Sequence, residues 1–342
     1  MTNDAVKKMK TLLNTMRLIM EGKEPGRDMN YWEWNSGVGL FGVMKAYEKT
    51  NEDEYLQFMK DWFDRNGGDD RFRGSVNCVI PCCMALALYR ITGDERCRAV
   101  CDEYADWAQN ISVKTKNGGI AHVWSIGGIE DYKNQLWADS VFMAGIFLVA
   151  YAKEIDDKDL MHFAVSQVKI HIESLFDKEA GLFNHGYHAL KDRRLGGHWG
   201  RGNGWIAAAL AEIMCILGPD AENGYFKDIF VKFIEQVYSL REENGMLHTL
   251  LDEPESYTEA TASMLFGYGA YAGYELGILD ERFFEWSKQI YAALEFDDDG
   301  TVKACSGGTD CFLELDSYFT IPCVKSNYAD GITLMFLSKF AN

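Results

Sequence analysis

The sequence predicts an all-α protein, an (α/α)6 barrel of six inner and six outer helices, and three observations predict it. Apolar residues recur with a helical period in about twelve segments along the 342 residues. These segments alternate in character: one kind is nearly apolar and rich in Gly, Ala and Ser, the other carries Lys, Glu and Asp on one face. Each apolar segment is also entered through a short junction, at Trp32–Gly39, Gly74–Cys82, Leu136–Gly145, His198–Ala208, Ser256–Ser263 and Ser326–Thr333, and all but the Ser/Thr-rich Ser256–Ser263 draw on Trp, Asn, Asp and Gly. A helix that is apolar on all sides is buried on all sides. Six such helices alternating with six amphipathic ones describe a ring inside a ring.

In chain order the predicted inner helices cover 35–50, 76–92, 137–155, 202–217, 257–275 and 326–340. The predicted outer helices cover 4–21, 52–64, 95–110, 157–177, 222–243 and 281–294. Gly67–Gly68, Thr92-Gly93-Asp94 and Gly218–Pro219 read as turns, with Asp94 placed to cap the following helix. Only short strand-like pieces are visible, Ile120–Trp124 and Gly181–Asn184. The inner helices begin at unequal intervals, whereas an open helical solenoid keeps a fixed repeat length. Variable insertions on one side fit loops around a site. No Pro/Ser-rich linker divides the chain, so a single catalytic domain over 1–342 is expected.

Composition excludes several classes of function. A hydrophobic content of 47% with 13% aromatics supplies a large core, and no segment has the length of uncharged apolar sequence that spans a membrane. Met1–Met20 reads as an amphipathic helix and lacks the apolar centre of a signal peptide. A net charge of −18 opposes phosphate binding, so nucleic acid is not an expected partner. Nine cysteines, an odd number, sit largely within helical patterns and read as reduced, buried thiols of a cytoplasmic protein. No paired CxxC with flanking His completes a zinc site, and no metal or cofactor is expected. Nothing in the sequence calls for a partner subunit, and a monomer is expected.

Parallel inner helices place all their N-termini, with free N–H groups and positive dipole ends, at one mouth. Asp139 is the leading catalytic candidate there. It lies between Trp137 and the apolar run Val141-Phe142-Met143, where desolvation is expected to raise its pKa toward that of a general acid. An ordinary helix cap is the plainer reading of the same position. The second cluster runs from His198 to Trp205. Trp199 and Trp205 offer flat faces to a sugar ring, and Arg201 offers a guanidinium to a carboxylate. No strand precedes this cluster and no Lys-Ser/Thr follows it, so it is not a phosphate loop. His185, in a hairpin-like piece, and Trp34, Asn77 and Glu259, each at another inner-helix start, complete the binding candidates. Asp330 is a further carboxylate in such a position.

At Trp137-Ala138-Asp139, His198–Trp205 and Glu259-Ala-Thr-Ala-Ser, the sequence resembles the unsaturated rhamnogalacturonyl hydrolases of glycoside hydrolase family 105, relatives of the family 88 unsaturated glucuronyl hydrolases. The resemblance runs from about Trp32 to the C-terminus and implies the same (α/α)6 barrel. It further implies removal of a 4,5-unsaturated uronic acid from the non-reducing end of lyase-generated pectin oligosaccharides by hydration of its double bond, without a cofactor. Asp139 would protonate C4 and then act as base toward water attacking C5. His185 and Arg201 fall on sugar-contacting positions, Arg201 as the partner of the uronate carboxylate, with Trp34, Trp137, Trp199 and Trp205 as stacking walls. One departure stands out: Asn77 occupies a place where many members carry a second Asp, which Asp69 or Asp70 would have to replace unless the pH optimum falls or substrate preference has changed. Two rivals remain at this stage. An inverting glycosidase would pair Asp139 with Glu259 across about 6.5–9.5 Å. A non-enzymatic helical scaffold would have a closed mouth and a large apolar patch elsewhere.

Overall fold

The computed structural model describes residues 2–123 and 130–341. Among them the helices are α1 (Thr2–Met20), α2 (Trp34–Thr50), α3 (Asp53–Asn66), α4 (Pro81–Thr92), α5 (Glu95–Asp106), α6 (Ile146–Glu154), α7 (Lys158–Leu175), α8 (Gly200–Leu217), α9 (Tyr225–Ser239), α10 (Ala260–Glu275), α11 (Glu281–Ala293) and α12 (Asn327–Ser338). The even-numbered helices pack side by side in chain order, and α12 returns onto α2 to close the ring. Each odd-numbered helix lies outside: α3 on α2, α5 on α4, α7 on α6, α9 on α8, α11 on α10, and α1 on α12. The expected (α/α)6 architecture is therefore present.

Closure depends on two glycines. A Cβ on Gly42 would stand 2.1 Å from the Gly331 carbonyl oxygen, and one on Gly331 would stand 2.1 Å from that of Val38. No side chain fits where α2 and α12 touch, so alanine at either position forces the seam apart. Toward the C-terminal ends of the inner helices, the buried Glu212 carboxylate accepts from Tyr268 and meets Lys45 Nζ at 3.1 Å. This network belongs to the end away from the junctions.

The helix starts differ from the expected ones in two informative places. Val76–Cys78 forms a separate 3-10 turn, with Ser75 Oγ accepting from Asn77 N–H, and α4 begins only at Pro81, which suits a first helical turn. After Asp139 the chain makes a wide π-turn over Val141–Gly145 before α6 settles into α-geometry. Such turns recur at functional sites. Asp94 caps α5 as expected, accepting from Arg96 N–H at 2.9 Å.

Small sheets are present where only strand-like pieces were expected. β1 (Gln135–Trp137), β4 (Gly186–His188) and β5 (Arg193–Leu195) form an antiparallel sheet in the order β1-β4-β5. β2 (Phe176–Asp177) pairs with β3 (Leu182–Phe183), inside the anticipated Gly181–Asn184 piece. Strands of two or three residues are too short to display an alternating pattern, which hid them. Of Ile120–Trp124, Ile120 makes a lone bridge to Lys114, and Trp124 lies outside the described residues. All nine cysteines are free; seven are buried, whereas Cys215 and Cys323 are exposed, against the expectation that all would be buried. Among the described residues no helix is long and apolar enough to cross a membrane.

Candidate active site

A cleft of about 250 Å³ opens at the mouth where the inner helices start. Trp34, Asn77, Trp137, Asp139, Trp199 and Arg201 line it, so six of the nine residues expected at the site converge there. The signal was the repeated junction: the entries to α2, α4, α6 and α8 each deliver residues to one place.

Asp139 follows β1 directly. Because Trp137 pairs with Gly186 across the sheet, and Ala138 N–H donates to the His185 carbonyl at 2.9 Å, the ring of His185 is brought beside the Asp139 carboxyl. His185 itself is fully buried behind the cleft wall, with Nε2 3.4 Å from Asp139 Oδ2. Neither atom has a conventional hydrogen-bond partner, so the pair stands a small adjustment from bonding. The other ring nitrogen, Nδ1, lies 2.7 Å from the Tyr318 hydroxyl, giving a chain Asp139–His185–Tyr318. Trp199 covers the imidazole at 4.1 Å between ring centres.

The electrostatics of Asp139 correct the sequence expectation. Burial pushes its carboxyl upward, as anticipated, but the polar contact and charge of His185, aided by His122, together outweigh burial and hold it below its ordinary value. The contact with His185 is the largest of the influences that oppose burial there. His122 stacks on Trp137 at 4.1 Å and 7°, and its Nδ1 lies 3.3 Å from Ser140 Oγ. Burial pushes His122 down to about 4 despite the nearby Asp139, so it is a neutral wall at physiological pH.

Three expected site residues have other surroundings. Trp205 is buried in the core, 4.7 Å from Phe142, because it lies one turn further along α8 than the cleft-lining Arg201. Glu259 is fully buried and caps α10: its carboxylate accepts from Ala262 N–H, Ser306 N–H and the Thr261 hydroxyl. Arg201 does reach the cleft, yet its two terminal nitrogens are engaged. Nη1 donates to Ser306 O at 3.0 Å and to the Ser306 hydroxyl, and Nη2 to Gly307 O at 2.7 Å and Thr309 Oγ1 at 2.9 Å. Its guanidinium lies over Trp199 at 4.6 Å. Arg201 therefore holds the 306–309 loop in place, and a paired contact to a substrate carboxylate would require it to release that loop.

Other residues at the cleft were not foreseen. His122, Met143, Gly308, Thr309 and Asp310 line it. Asp310 accepts from the Tyr132 hydroxyl and from Cys311 N–H, so its oxygens are occupied. The Gly307-Gly308-Thr309-Asp310 run was the available sign, a glycine-rich loop ending in a carboxylate. Asp69 and Asp70 lie on an exposed turn and do not line the cleft. The carboxyl next to Asn77 is instead that of Glu33: burial pushes it up to about 7, against polar contacts with the Trp34 and Asn35 N–H groups and the Asn77 side chain.

A family model described as Glycosyl Hydrolase Family 88 matches residues 9–342. The chain belongs to that family. This family 88 chain is 28% identical, over 313 residues, to the unsaturated rhamnogalacturonyl hydrolase YesR of Bacillus subtilis (strain 168), covering 90% of this chain and 89% of that one. Among solved structures, a possible member of the GH105 family from Salmonella enterica superposes with a TM-score of 0.91 at 23% identity, over 99% of this chain and 93% of that one. A family 105 glycoside hydrolase from C. acetobutylicum superposes at 0.82 with 22% identity, over 97% and 98% of the two chains. The family 105 resemblance and the family 88 match thus meet on one barrel. Membership makes the protein a glycosidase.

Proposed function

We propose that this enzyme removes a 4,5-unsaturated uronic acid from the non-reducing end of rhamnogalacturonan oligosaccharides left by a lyase, with Asp139 as the acid and then the base. The observation that carries the reading is the state of Asp139. It lies in the cleft wall with Oδ2 unbonded beside His185, whereas the neighbouring Asp310 has its oxygens occupied. The similarity to YesR supplies the substrate class.

In this reaction the Asp139 acid delivers its proton to C4 of the vinyl ether. Positive charge then develops at C5 and is shared with the ring oxygen. The resulting carboxylate takes a proton from water as the water oxygen bonds to C5, which regenerates the acid. The C5 hemiketal opens to a ketone, leaving the ring oxygen on C1 as a hemiacetal hydroxyl. Collapse to the C1 aldehyde then releases the aglycone. His185 stands beside the carboxyl through both steps, with Nε2 3.4 Å from Oδ2 and Nδ1 2.7 Å from the Tyr318 hydroxyl. Trp34, Trp137 and Trp199 supply the flat walls, and Asn77 offers a neutral amide to water or a hydroxyl.

An inverting pair of Asp139 and Glu259 is disfavoured, since Glu259 is fully buried and accepts from three donors. The open cleft likewise opposes a mere scaffold. We take the chain as one catalytic domain over residues 1–342, a cytoplasmic monomer, with nine free thiols in keeping with a reducing compartment. The test is to incubate the enzyme with lyase-generated oligosaccharides and follow the ultraviolet absorbance of the double bond. Its loss, abolished in Asp139→Asn, is the expected result; release of sugar with the absorbance intact would overturn the hydration reading.

A further inference from the structure

The entries to α2 and α4 are fastened together beside the cleft. Trp32 is buried, and its indole Nε1 donates to Cys78 O at 2.9 Å. The first turn of α2 lies flush against the start of α4, for a Cβ on Gly37 would stand 2.6 Å from Ile80 and 2.8 Å from Pro81. Ser75 fixes the backbone of the α4 entry: its Oγ accepts from Asn77 N–H at 3.3 Å and its carbonyl from Cys78 N–H at 3.1 Å. With residues 32 and 78 tied, their neighbours Glu33 and Asn77 lie side by side, the Glu33 carboxyl against the Asn77 side chain.

What this frame leaves to turn is the Asn77 amide, which lines the cleft. An Asn amide has a donor end and an acceptor end, so the end that one partner holds decides which end faces the other way. Glu33 is half-buried in extended backbone just before α2, and its carboxyl forms no ion pair with a described residue. The Asn77 amide opposes the upward push of burial on that carboxyl, which is the effect of an N–H donating to a carboxylate. The donor end of Asn77 is therefore the end toward Glu33. The acceptor end is left for the cleft.

Water that adds to C5 brings two hydrogens, and Asp139 takes only one of them. Two other polar groups at the cleft already have partners: Asp310 accepts from Tyr132 and Cys311 N–H, and the Thr309 hydroxyl donates to Gly307 O at 3.0 Å. We propose that Glu33 is a positioning residue for the reaction: by accepting an amide hydrogen of Asn77, it turns the Asn77 oxygen into the cleft, where that oxygen accepts the second hydrogen of the attacking water. The inference rests on the proposed function, since it gives a place to the water of that reaction. Glu33 does not line the cleft itself, so it acts through Asn77.

A double-mutant cycle tests the inference, read by loss of double-bond absorbance from a lyase-generated disaccharide, with thermal unfolding to confirm that each variant is folded. If the wild type leaves the double bond intact, the proposed reaction falls and this inference with it. With turnover established, Glu33→Ala is expected to lower kcat about tenfold, the scale of one hydrogen bond, with KM within about twofold because the water is no part of the bound sugar. Glu33→Gln keeps an oxygen that accepts from Asn77, and its kcat should stay within about threefold of wild type. A carboxylate presents an acceptor in either orientation. In the Asn77→Asp background, Glu33→Ala should therefore change kcat by less than about twofold. An equal loss in both backgrounds would make Glu33 merely structural and overturn the proposal, as would an unchanged kcat in Glu33→Ala alone. If Glu33→Ala does not fold, Glu33→Leu, which keeps the bulk but offers no acceptor, takes its place in the same cycle.

Discussion

Two carboxylates mark the starts of inner helices on either side of α8, and the chain treats them oppositely. Glu259, at α10, has no exposed surface and accepts hydrogen bonds from two backbone N–H groups and a hydroxyl. Asp139, at the entry to α6, keeps 16% of its side-chain surface open and leaves Oδ2 unbonded beside an imidazole. Both lie at one of the six junctions, and both enjoy a helix N-terminus. The difference teaches that a helix start makes a carboxylate comfortable but does not make it reactive. In the proposed mechanism the reactivity of Asp139 rests on its incomplete hydrogen bonding and on the imidazole beside it.

The sharpest way to break the comparison is to neutralise each acid in turn. Asp139→Asn removes the only proposed proton donor, and kcat should fall by about a thousandfold or more with the fold intact, as double-bond absorbance and thermal unfolding would show. Glu259→Gln should do the reverse. An amide nitrogen would confront the Ser306 or Ala262 N–H, costing about 1–3 kcal/mol in stability. Thermal unfolding should move down, while kcat of the folded enzyme falls far less than in Asp139→Asn. If Glu259→Gln instead matched Asp139→Asn in kcat, the distinction between the two acids would fail.

The imidazole sharpens the same contrast. In His185→Gln the main influence that holds Asp139 down is lost and burial meets less opposition, so the Asp139 pKa should rise; because the reaction starts from the Asp139 acid, the alkaline limb of kcat/KM should shift toward higher pH. The linkage to stability runs in a definite direction. Wild-type Asp139 is held below its ordinary 3.8, so it stabilises the fold above that pH, and the contribution is lost as the pH falls through the folded value. Asp139→Asn should therefore lose less stability than wild type on acidification below about pH 4.

Glu33 should give the smallest effect, of opposite sign. Its folded pKa, raised from 4.5 to about 7, means that its contribution is present below pH 4.5 and lost as the pH rises through about 7. Glu33→Gln should flatten the decline in unfolding temperature between those two pH values. An unaltered decline would show that the Glu33 carboxyl is not the one titrating beneath Asn77.

Much of this was legible in the sequence because helices announce themselves over several turns. The apolar period, the alternation of inner and outer helices and the punctuated starts located the barrel, its mouth and six residues of the cleft. The short strands β1, β4 and β5 carried no such period, although they bring His185 to Asp139. Asp310 and His122 come from loops, where local sequence does not fix position.

The sequence by itself determined which segments are helical, which faces are buried and that Asp139, Trp34, Asn77, Trp137, Trp199 and Arg201 share one end of the ring. Those are consequences of local periodicity and of helix polarity, both written along the chain. Only the tertiary structure decided which of these groups keep an unfilled hydrogen bond. Arg201 grips the 306–309 loop and Glu259 joins it through Ser306 N–H, while Asp139 meets an imidazole and Asn77 lies against Glu33. Such pairings bring together residues from different junctions, and burial and charge act over a few ångströms of space irrespective of their separation along the sequence.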